Sequence, residues 1–243
     1  MRRLKIPLGS LGVALVPLIL WQSLSYPYSL ASPVDIARII ISGFSEGWLI
    51  PHAESTFASV GVGFALAVSL GFGVGFLLGS YAFWRGVFEP LVVALFAVPK
   101  IVLFPLFLFS LGIGFNSQVA MALLHGIFPM IIETVTGVRE VNPTLVKVGR
   151  SMNASSGQLI GKVFLPSMAL PFVVGLRMAF SLAIVGVVLA ELFAAKMGMG
   201  LLIMRAYHVL DIPRMLALIL FLFAVAFAGN LFLWSVERRL RRR

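Results

Sequence analysis

Apolar residues run along this chain in stretches long enough to cross a lipid bilayer, and shorter polar segments separate them. A helix needs roughly 20 consecutive apolar residues to span the hydrocarbon core. Six segments have about that length, at 8–30, 57–81, 87–111, 116–137, 170–195 and 212–236. The third contains Pro99 and Pro105, which break regular helical hydrogen bonding. We therefore predict an all-α integral membrane protein with six transmembrane helices, forming a single domain over residues 1–243.

Composition supports this class. The chain is 60% hydrophobic and 12% charged, whereas soluble domains have about 25% charged residues. The absence of cysteine excludes a disulfide framework and a Cys-ligated metal. A net charge of +10 would suggest nucleic acid as the partner of a soluble protein. In a membrane protein the same charge gathers at the ends of spans, so we expect the lipid bilayer and no nucleic acid as a partner.

Basic residues also orient the chain. With six spans both termini lie on one side, and 13 of the 19 Lys and Arg residues fall on that side. Four fall on the opposite side, and two lie within or at the edge of spans. The positive-inside rule therefore predicts that both termini are cytoplasmic. The basic start resembles a signal peptide, but apolar character continues to Leu30 without a convincing cleavage site, which favours an uncleaved first span.

Two patterns concern helix packing. The segment 32–44, between the first two spans, predicts a short amphipathic helix that lies on the membrane surface or packs across a neighbour. The second span carries Gly71, Gly75 and Gly79 at a spacing of four. This spacing lets two helices approach closely in lipid. It favours packing within the chain over a seam between two copies.

A patterned loop at about 138–171 separates the fourth and fifth spans. Asn142, followed by proline, has the features of a helix start. Asn153 tolerates a left-handed conformation, so it is placed to end that helix and turn the chain. Ser155 and Gln158 then have the spacing of a capping box. The loop is predicted to form a helix–turn–helix finger.

The second helix of the finger, "SGQLIGKVFL", is expected to stop before Pro166. Both helices are amphipathic and basic. That pattern suits a helix lying on anionic lipid, and it equally suits a helix docking into the groove of a soluble partner. The residues alone leave both interpretations open.

The finger resembles the cytoplasmic "EAA" loop of permease subunits of bacterial ABC importers. That pattern reads E-A-A, three residues, Gly, nine residues and I-x-L-P. Here it is matched by Lys147-Val148-Gly149, then Asn153, then Val163-Phe164-Leu165-Pro166, with Lys147 in place of Glu and Asn153 in place of Gly. The stretches "GVREVNPTLVKVGRSMNAS", "LPSMALPFVVGLRMAFSLAIVGVVLAELF" and "FEPLVVALFAVPKIVLFPLFLFSLGIG" are similar to the nitrate, sulfonate and taurine branch of these permeases.

The resemblance implies a type I importer permease with the MetI-like fold, acting in transport and not as an enzyme. The finger would be the coupling helix, which inserts into a cleft of a cytoplasmic ATPase subunit. The residues implied in this contact are Lys147, Gly149, Met152, Asn153, Ala154, Ser155, Ser156, Gly157, Leu165 and Pro166.

The resemblance also implies an assembly in the bacterial inner membrane. It contains a second copy of the chain, two ABC ATPase subunits and an external substrate-binding protein. ATP and Mg²⁺ would bind the ATPase, since this chain lacks a P-loop signature, and neither a metal nor a cofactor is expected on the chain itself. The implied substrate is a small anion such as an aliphatic sulfonate, taurine or nitrate, with a pyrimidine-type vitamin precursor as the alternative. A stand-alone secondary transporter or channel would usually show an internal repeat, and none is apparent.

Polar residues inside the spans are candidates for the translocation pathway, because charge within a membrane is costly. Pro99 and Lys100 lie in the third span, where Lys100 would attract an anion if it faced the pathway. The alternative is a lysine that snorkels to the interface or pairs with a carboxylate. Glu191 lies at the end of the fifth span. Three roles are open for it: a gate, a contact for the binding protein, or a cap paired with Lys196.

Glu133, near the end of the fourth span, is expected to form a structural ion pair with Arg177 or Arg139. The three histidines have no metal-ligand spacing among themselves or with carboxylates, so no metal site is predicted.

Overall fold

The structure, a computed structural model, describes residues 31–241, and all regular elements in that range are helical. The helices are α1 Pro33–Ser45, α2 Leu49–Ser80, α3 Ala82–Ala97, α4 Phe104–Leu111, α5 Phe115–Arg139, α6 Pro143–Ser151, α7 Ser156–Leu159, α8 Leu165–Ser167, α9 Ala169–Phe193, α10 Met199–His208 and α11 Ile212–Leu240. A 3₁₀ turn, Lys100–Leu103, precedes α4, and a π-helical turn, Ile160–Phe164, joins α7 to α8. The predicted first span, 8–30, lies outside the described residues.

Within the described residues, four helices are long and apolar enough to cross a membrane, namely α2, α5, α9 and α11. The pair formed by α3 and the segment Lys100–Leu111, bent by 84° at its break, brings the number to five if the two parts form one span. These correspond to the second to sixth predicted spans. The bend follows from Pro99, which has no N–H to donate, and from the extended backbone of Val98 before it.

One predicted boundary is wrong: α2 begins at Leu49, eight residues before the predicted start at Phe57. The helix has 32 residues, which corresponds to a length of about 48 Å and exceeds the ~30 Å hydrocarbon core. Its polar first turns are stabilised by tertiary contacts instead of lipid. Leu49 is buried among Met199, Leu202 and Leu218 of α10 and α11. Pro51 is tolerated because it lies in the first turn.

The predicted amphipathic helix between the first two spans is confirmed as α1. The hydroxyl of Ser32 accepts a hydrogen bond from the backbone N–H of Asp35 at 3.1 Å, and Pro33 is the first helical residue. Ile36 on the apolar face is buried with Ala217 of α11. The helix therefore packs across a neighbouring span.

The glycines of α2 let it approach α5 closely, as predicted for packing within the chain. A Cβ added at Gly75 would lie 2.7 Å from the Cβ of Thr134 and 2.8 Å from the carbonyl oxygen of Ile131. A Cβ added at Gly71 would lie 2.8 Å from the Cβ of Met130. Helix α9 packs on α5 from the other side, where Gly186 faces the carbonyl of Met121. Helices α2, α5 and α9 thus form the centre of the bundle.

Candidate functional site

The finger at residues 142–166 stands at the end of the bundle where α5 ends and α9 begins, and three local predictions about it are confirmed. The Asn142 side chain accepts a hydrogen bond from the N–H of Thr144 at 2.9 Å and caps α6. Asn153 has a φ of 55°, the left-handed conformation expected of the turn. Ser155 and Gln158 form the reciprocal capping box, at 2.9 and 3.3 Å.

A close contact between the two helices of the finger fixes its shape. The side chain of Leu159 is buried against Gly149, where an added Cβ would lie 2.5 Å from Leu159 Cδ2. The N–H of Ala154 donates to the carbonyl of Gly149 at 3.0 Å and closes the turn. Gly149 therefore serves the packing of the finger itself.

The predicted stop before Pro166 is wrong, because Pro166 is the second residue of α8 and the chain stays helical around it. The π-helical turn at Ile160–Phe164 explains this. A proline ring normally clashes with the carbonyl four residues earlier. The wider hydrogen-bond spacing of a π turn displaces that carbonyl, so the helix passes the proline without ending.

The two faces of the finger differ. The inner face contributes Val146, Val163 and Phe164 to a cluster around Val138, near the end of α5, and Met168, just before α9. The outer face exposes apolar side chains together with cations, namely Leu145, Val148, Met152, Lys147, Arg150 and Lys162. Met152, at the turn, is 77% exposed. Between Glu140 and Arg177 the sequence contains no acidic residue.

The structure separates the predicted coupling residues into three places. The turn residues Met152–Gly157 lie together at the tip, and Lys147 lies on the exposed side of α6. Gly149 faces the second helix of the finger. Leu165 and Pro166 lie on the return segment, exposed but beyond the π turn from the tip.

Lys100 lies at the break between α3 and α4 and is only 8% exposed. Its Nζ donates to the carbonyl of Phe96 at 2.7 Å. The same atom lies 4.8 Å from the ring centroid of Phe96 and 5.2 Å from that of Phe128. None of the four ion pairs in the described residues includes Lys100. The ammonium is therefore held by a carbonyl and two aromatic faces.

Glu191 is 1% exposed and lies at the opposite end of the bundle from the finger. Its carboxylate accepts a hydrogen bond from the N–H of Gly200 at 2.8 Å. The Thr56 hydroxyl lies 2.9 and 3.0 Å from its two oxygens. Its partners are thus α2 and the first turn of α10, and the proposed pairing with Lys196 is not formed among the described residues.

Further polar side chains hold the same turn, and we call Met197–Gly200 the glycine turn. The N–H of Gly198 donates to His52 Nδ1 at 3.0 Å, and the N–H of Met199 donates to Thr56 Oγ1 at 2.8 Å. Gln118 of α5 donates to the carbonyl of Met197 at 3.4 Å, and Ser59 donates to the Gln118 side chain at 2.7 Å. This polar clamp therefore joins α2, α5, α9 and α10.

The clamp residues His52, Thr56, Ser59 and Gln118 are not among the site residues predicted from the sequence. A signal was present, since positions 52, 56 and 59 follow the spacing of one helix face, and Gly63 continues it. A polar stripe that runs into a stripe of small residues indicates a face buried against protein instead of lipid.

The expected pairing of Glu133 with Arg177 or Arg139 is wrong. Arg177 pairs with Glu237 of α11 at 3.0 Å, and Arg139 pairs with Glu89 of α3 at 3.6 Å. The side chain of Glu237 is nearly buried and also contacts Arg241 at 2.9 Å. The partners come from helices distant in sequence, which loop charges alone do not reveal.

Residues 54–242 match the family described as the binding-protein-dependent transport system inner membrane component. The match covers the second to sixth predicted spans, the finger and the glycine turn. The chain belongs to this family. It is thus a multi-pass permease of the ABC importer class, and its relatives are transport permeases and not enzymes.

Named relatives are similar over most of their length. The formylaminopyrimidine transport permease ThiX of Halalkalibacterium halodurans is 31% identical over 223 residues, covering 88% of this chain and 87% of the relative. The putative aliphatic sulfonates transport permease SsuC of Bacillus subtilis is 29% identical, covering 87% and 76%. The taurine transport permease TauC of Escherichia coli is 27% identical, covering 95% and 88%.

Among solved structures, the permease fold resembles that of the MetNI methionine ABC transporter in an inward-facing conformation. The TM-score is 0.69 at 16% sequence identity, and the match covers 81% of this chain and 98% of the solved chain. At this identity the likeness concerns the fold, which is the MetI-like fold expected from the sequence.

Proposed function

We propose that this permease works as a homodimer with two cytoplasmic ABC ATPase subunits and an external binding protein, and that it imports a small anion. The finger is the coupling element. The single observation that carries this proposal is the exposed apolar tip at Met152. Cations flank this tip, and two helix caps and one glycine hold the finger in shape.

The build of the finger favours a protein groove over a lipid surface. A helix on lipid needs only an apolar face and a cationic face. Here the tip residue protrudes at a turn whose geometry is fixed by Asn153 and by the capping box of Ser155 and Gln158. A rigid, protruding apolar anchor is typical of a helix that docks into a hydrophobic groove.

The proposed mechanism is a population shift between inward-open and outward-open states. ATP closes the ATPase dimer, the fingers move with it, and the two permease copies rock against each other. Nucleotide and the loaded binding protein must each contact one state better than the other, because equal affinity for both states shifts nothing. The distribution of Lys and Arg supports a cytoplasmic location for both termini and for the finger.

Pro99, Lys100 and Glu191 are the proposed pathway residues. Lys100 lies at the break of a bent span, and broken helices mark substrate sites in several transporter folds. Glu191 acts from the opposite end through the glycine turn. The buried ammonium of Lys100 favours an anion. The named relatives support either an aliphatic sulfonate or taurine, with a pyrimidine precursor as the alternative that ThiX supports.

The test is a gentle detergent pull-down of the tagged chain from its native membrane, followed by mass spectrometry. We expect an ABC ATPase to co-purify, and to be lost when residues 152–157 are replaced by a Gly-Ser linker. The control is a Gly-Ser replacement of the exposed residues 45–47, at the other end of the bundle, which should keep the ATPase. Transport by the chain purified alone would contradict the proposal and support a secondary transporter.

A further inference from the structure

A cavity of about 340 Å³ lies between α3, α9 and α11. It is separate from the finger and from the polar clamp. It is lined by Phe96, Arg177, Met178, Ser181, Leu182 and Asn230. Small-molecule sites in proteins usually have volumes of roughly 300–1,000 Å³. The cavity is therefore large enough for a small ligand and too small for a large one.

The cavity lies well inside the membrane-spanning helices. Ser181 is twelve residues after the start of α9 at Ala169, and Asn230 is ten residues before the end of α11 at Leu240. These separations correspond to about 18 and 15 Å along the helix axes. Phe96 lies one residue before the end of α3, beside the bent break. The position is thus inside the ~30 Å hydrocarbon core, on the finger side of its middle.

The electrostatic surroundings of the cavity are positive. Arg177 pairs with Glu237 at 3.0 Å, but that carboxylate also pairs with Arg241 at 2.9 Å. Two guanidinium groups therefore share one carboxylate and keep a net positive charge. The Lys100 ammonium, a further positive charge, donates a hydrogen bond to the carbonyl of Phe96, which lines the cavity. None of the six lining residues is acidic.

The polar side chains in the wall position one another. Asn230 Nδ2 donates to Ser181 Oγ at 2.7 Å, and Ser181 Oγ donates to the carbonyl of Arg177 at 3.0 Å. Arginine carries five N–H donors, and the ion pair with Glu237 involves one of its terminal nitrogens, Nη1. Phe96, Met178 and Leu182 supply an apolar surface next to this polar group.

We propose that this cavity is an intramembrane binding site for a small organic anion with a short apolar body. Arg177 contacts the anionic group, Asn230 contacts it from α11, and Phe96, Met178 and Leu182 pack on the apolar body. The inference rests on the proposed import of an anion and assigns it a place in the chain. An acyl tail of a lipid is the rival occupant, but it offers no acceptor to the remaining N–H groups of Arg177 and Asn230.

The test measures equilibrium binding of butanesulfonate to the purified permease–ATPase complex without the binding protein. Butanesulfonamide, which has the same body and no charge, is the matched ligand. We expect the wild-type complex to bind butanesulfonate at least about tenfold more tightly than butanesulfonamide, as for a hydrogen bond to a charged group. Equal binding of both ligands, or no binding of butanesulfonate, would overturn the proposal.

Three variants separate a binding role from a structural one. Asn230→Leu keeps the branched shape of the side chain, removes its N–H groups and leaves the Ser181 hydroxyl bonded to the carbonyl of Arg177. Arg177→Gln with Glu237→Gln removes both charges together. Each should weaken butanesulfonate binding about tenfold. Glu237→Gln alone releases the Arg177 guanidinium and should retain or tighten binding. Unchanged affinity in the first two variants, or a loss in Glu237→Gln alone, would overturn the site.

Ser110→Val is the matched control, because the Ser110 hydroxyl bonds only its own helix, at Leu106. It should bind as the wild type does. The failure of this inference is distinguishable from that of the proposed function. If the wild-type complex with its binding protein takes up alkanesulfonate while Asn230→Leu and the Arg177→Gln/Glu237→Gln double variant bind butanesulfonate normally, only the site is wrong. If the wild-type complex takes up no anion, the proposed function is wrong.

Discussion

The Thr56 hydroxyl lies 2.9 and 3.0 Å from the two carboxylate oxygens of Glu191, although the residues are 135 positions apart. The same hydroxyl oxygen accepts the N–H of Met199 at 2.8 Å. One small side chain therefore connects α2, α9 and the start of α10. Because both residues are fully buried, water cannot replace a hydrogen bond that either group loses.

Thr56→Val should destabilise the folded permease by about 1–3 kcal/mol, the cost of an unsatisfied buried polar group. The change keeps the shape of the side chain but removes the donor to Glu191 and the acceptor for Met199. Thermal unfolding of the purified protein measures the effect. Thr56→Ser, which keeps the hydroxyl, should retain most of the stability.

Thr134→Val is the control for this change. Thr134 is equally buried, but its hydroxyl bonds only the carbonyl of Met130 within its own helix, at 2.7 Å. We expect a smaller loss than for Thr56→Val. Equal losses at both positions would mean that the clamp contributes nothing beyond ordinary burial.

Gly75→Ala should separate α2 from α5, while Gly73→Ala should be tolerated. The two glycines are neighbours on one helix, but a Cβ at Gly75 would overlap Thr134, whereas a Cβ at Gly73 has nothing within 4 Å. Overpacking of a tight interface typically costs about 1–3 kcal/mol, and alanine in an open helix position is favourable by up to ~1 kcal/mol. Thermal unfolding of the two variants should therefore shift in opposite directions. A similar shift in both would contradict the proposed helix contact.

Local chemistry could be predicted from the sequence wherever it depended on neighbouring residues. The caps at Asn142 and Ser155, the left-handed Asn153 and the close glycine face of α2 follow from propensity and spacing. The membrane spans follow from hydropathy, because lipid selects apolar residues directly. These predictions needed no knowledge of which helices pack together.

Features that depend on tertiary partners could not be predicted in this way. Arg177 pairs with Glu237, 60 positions away, and the Glu191 carboxylate accepts a hydrogen bond from Thr56. The start of α2 at Leu49 depends on burial against α10 and α11. The passage of the helix through Pro166 depends on a π turn, for which the sequence carries no known signature. For the ion pair, for Glu191 and for the start of α2, a contact distant in sequence outweighs the local pattern. At Pro166 an irregular turn does so.

Asn153→Val should destabilise the finger, and Asn153→Gly should not. The residue has a φ of 55°, where a residue with a Cβ pays about 1–2 kcal/mol and glycine pays little. In the proposed assembly, Asn153→Val should reduce recovery of the ATPase in the pull-down, while Asn153→Gly retains it. Normal recovery with Asn153→Val would show that the turn geometry does not matter for the partner.

Charge reversal at Lys147 should weaken association with the ATPase. The finger carries Lys147, Arg150 and Lys162 and no acidic residue, so its partner surface is expected to be acidic. Lys147→Glu should slow association and reduce its dependence on salt concentration, as for other charges at an interface rim. Lys196→Glu is the matched control, because Lys196 is exposed and lies just before the glycine turn, at the other end of the bundle. This variant should leave association unchanged. A stronger complex with Lys147→Glu would indicate a basic partner surface instead.

Removal of the Lys100 charge should reduce anion uptake without affecting assembly. The ammonium is buried against Phe96 and Phe128 and takes part in none of the four ion pairs of the described residues. Lys100→Met keeps the length of the side chain, and we expect the rate of alkanesulfonate uptake by the reconstituted complex to fall about tenfold, as for loss of one charge-assisted contact. Lys100→Arg keeps the charge and should restore part of the uptake.

Recovery of the ATPase in the pull-down should be the same for the wild type and for both variants, because Lys100 lies at the bend of the third span and not in the finger. Undiminished alkanesulfonate uptake by Lys100→Met would remove Lys100 from the pathway. A complex that takes up an uncharged pyrimidine precursor, regardless of the charge at position 100, would favour the alternative substrate.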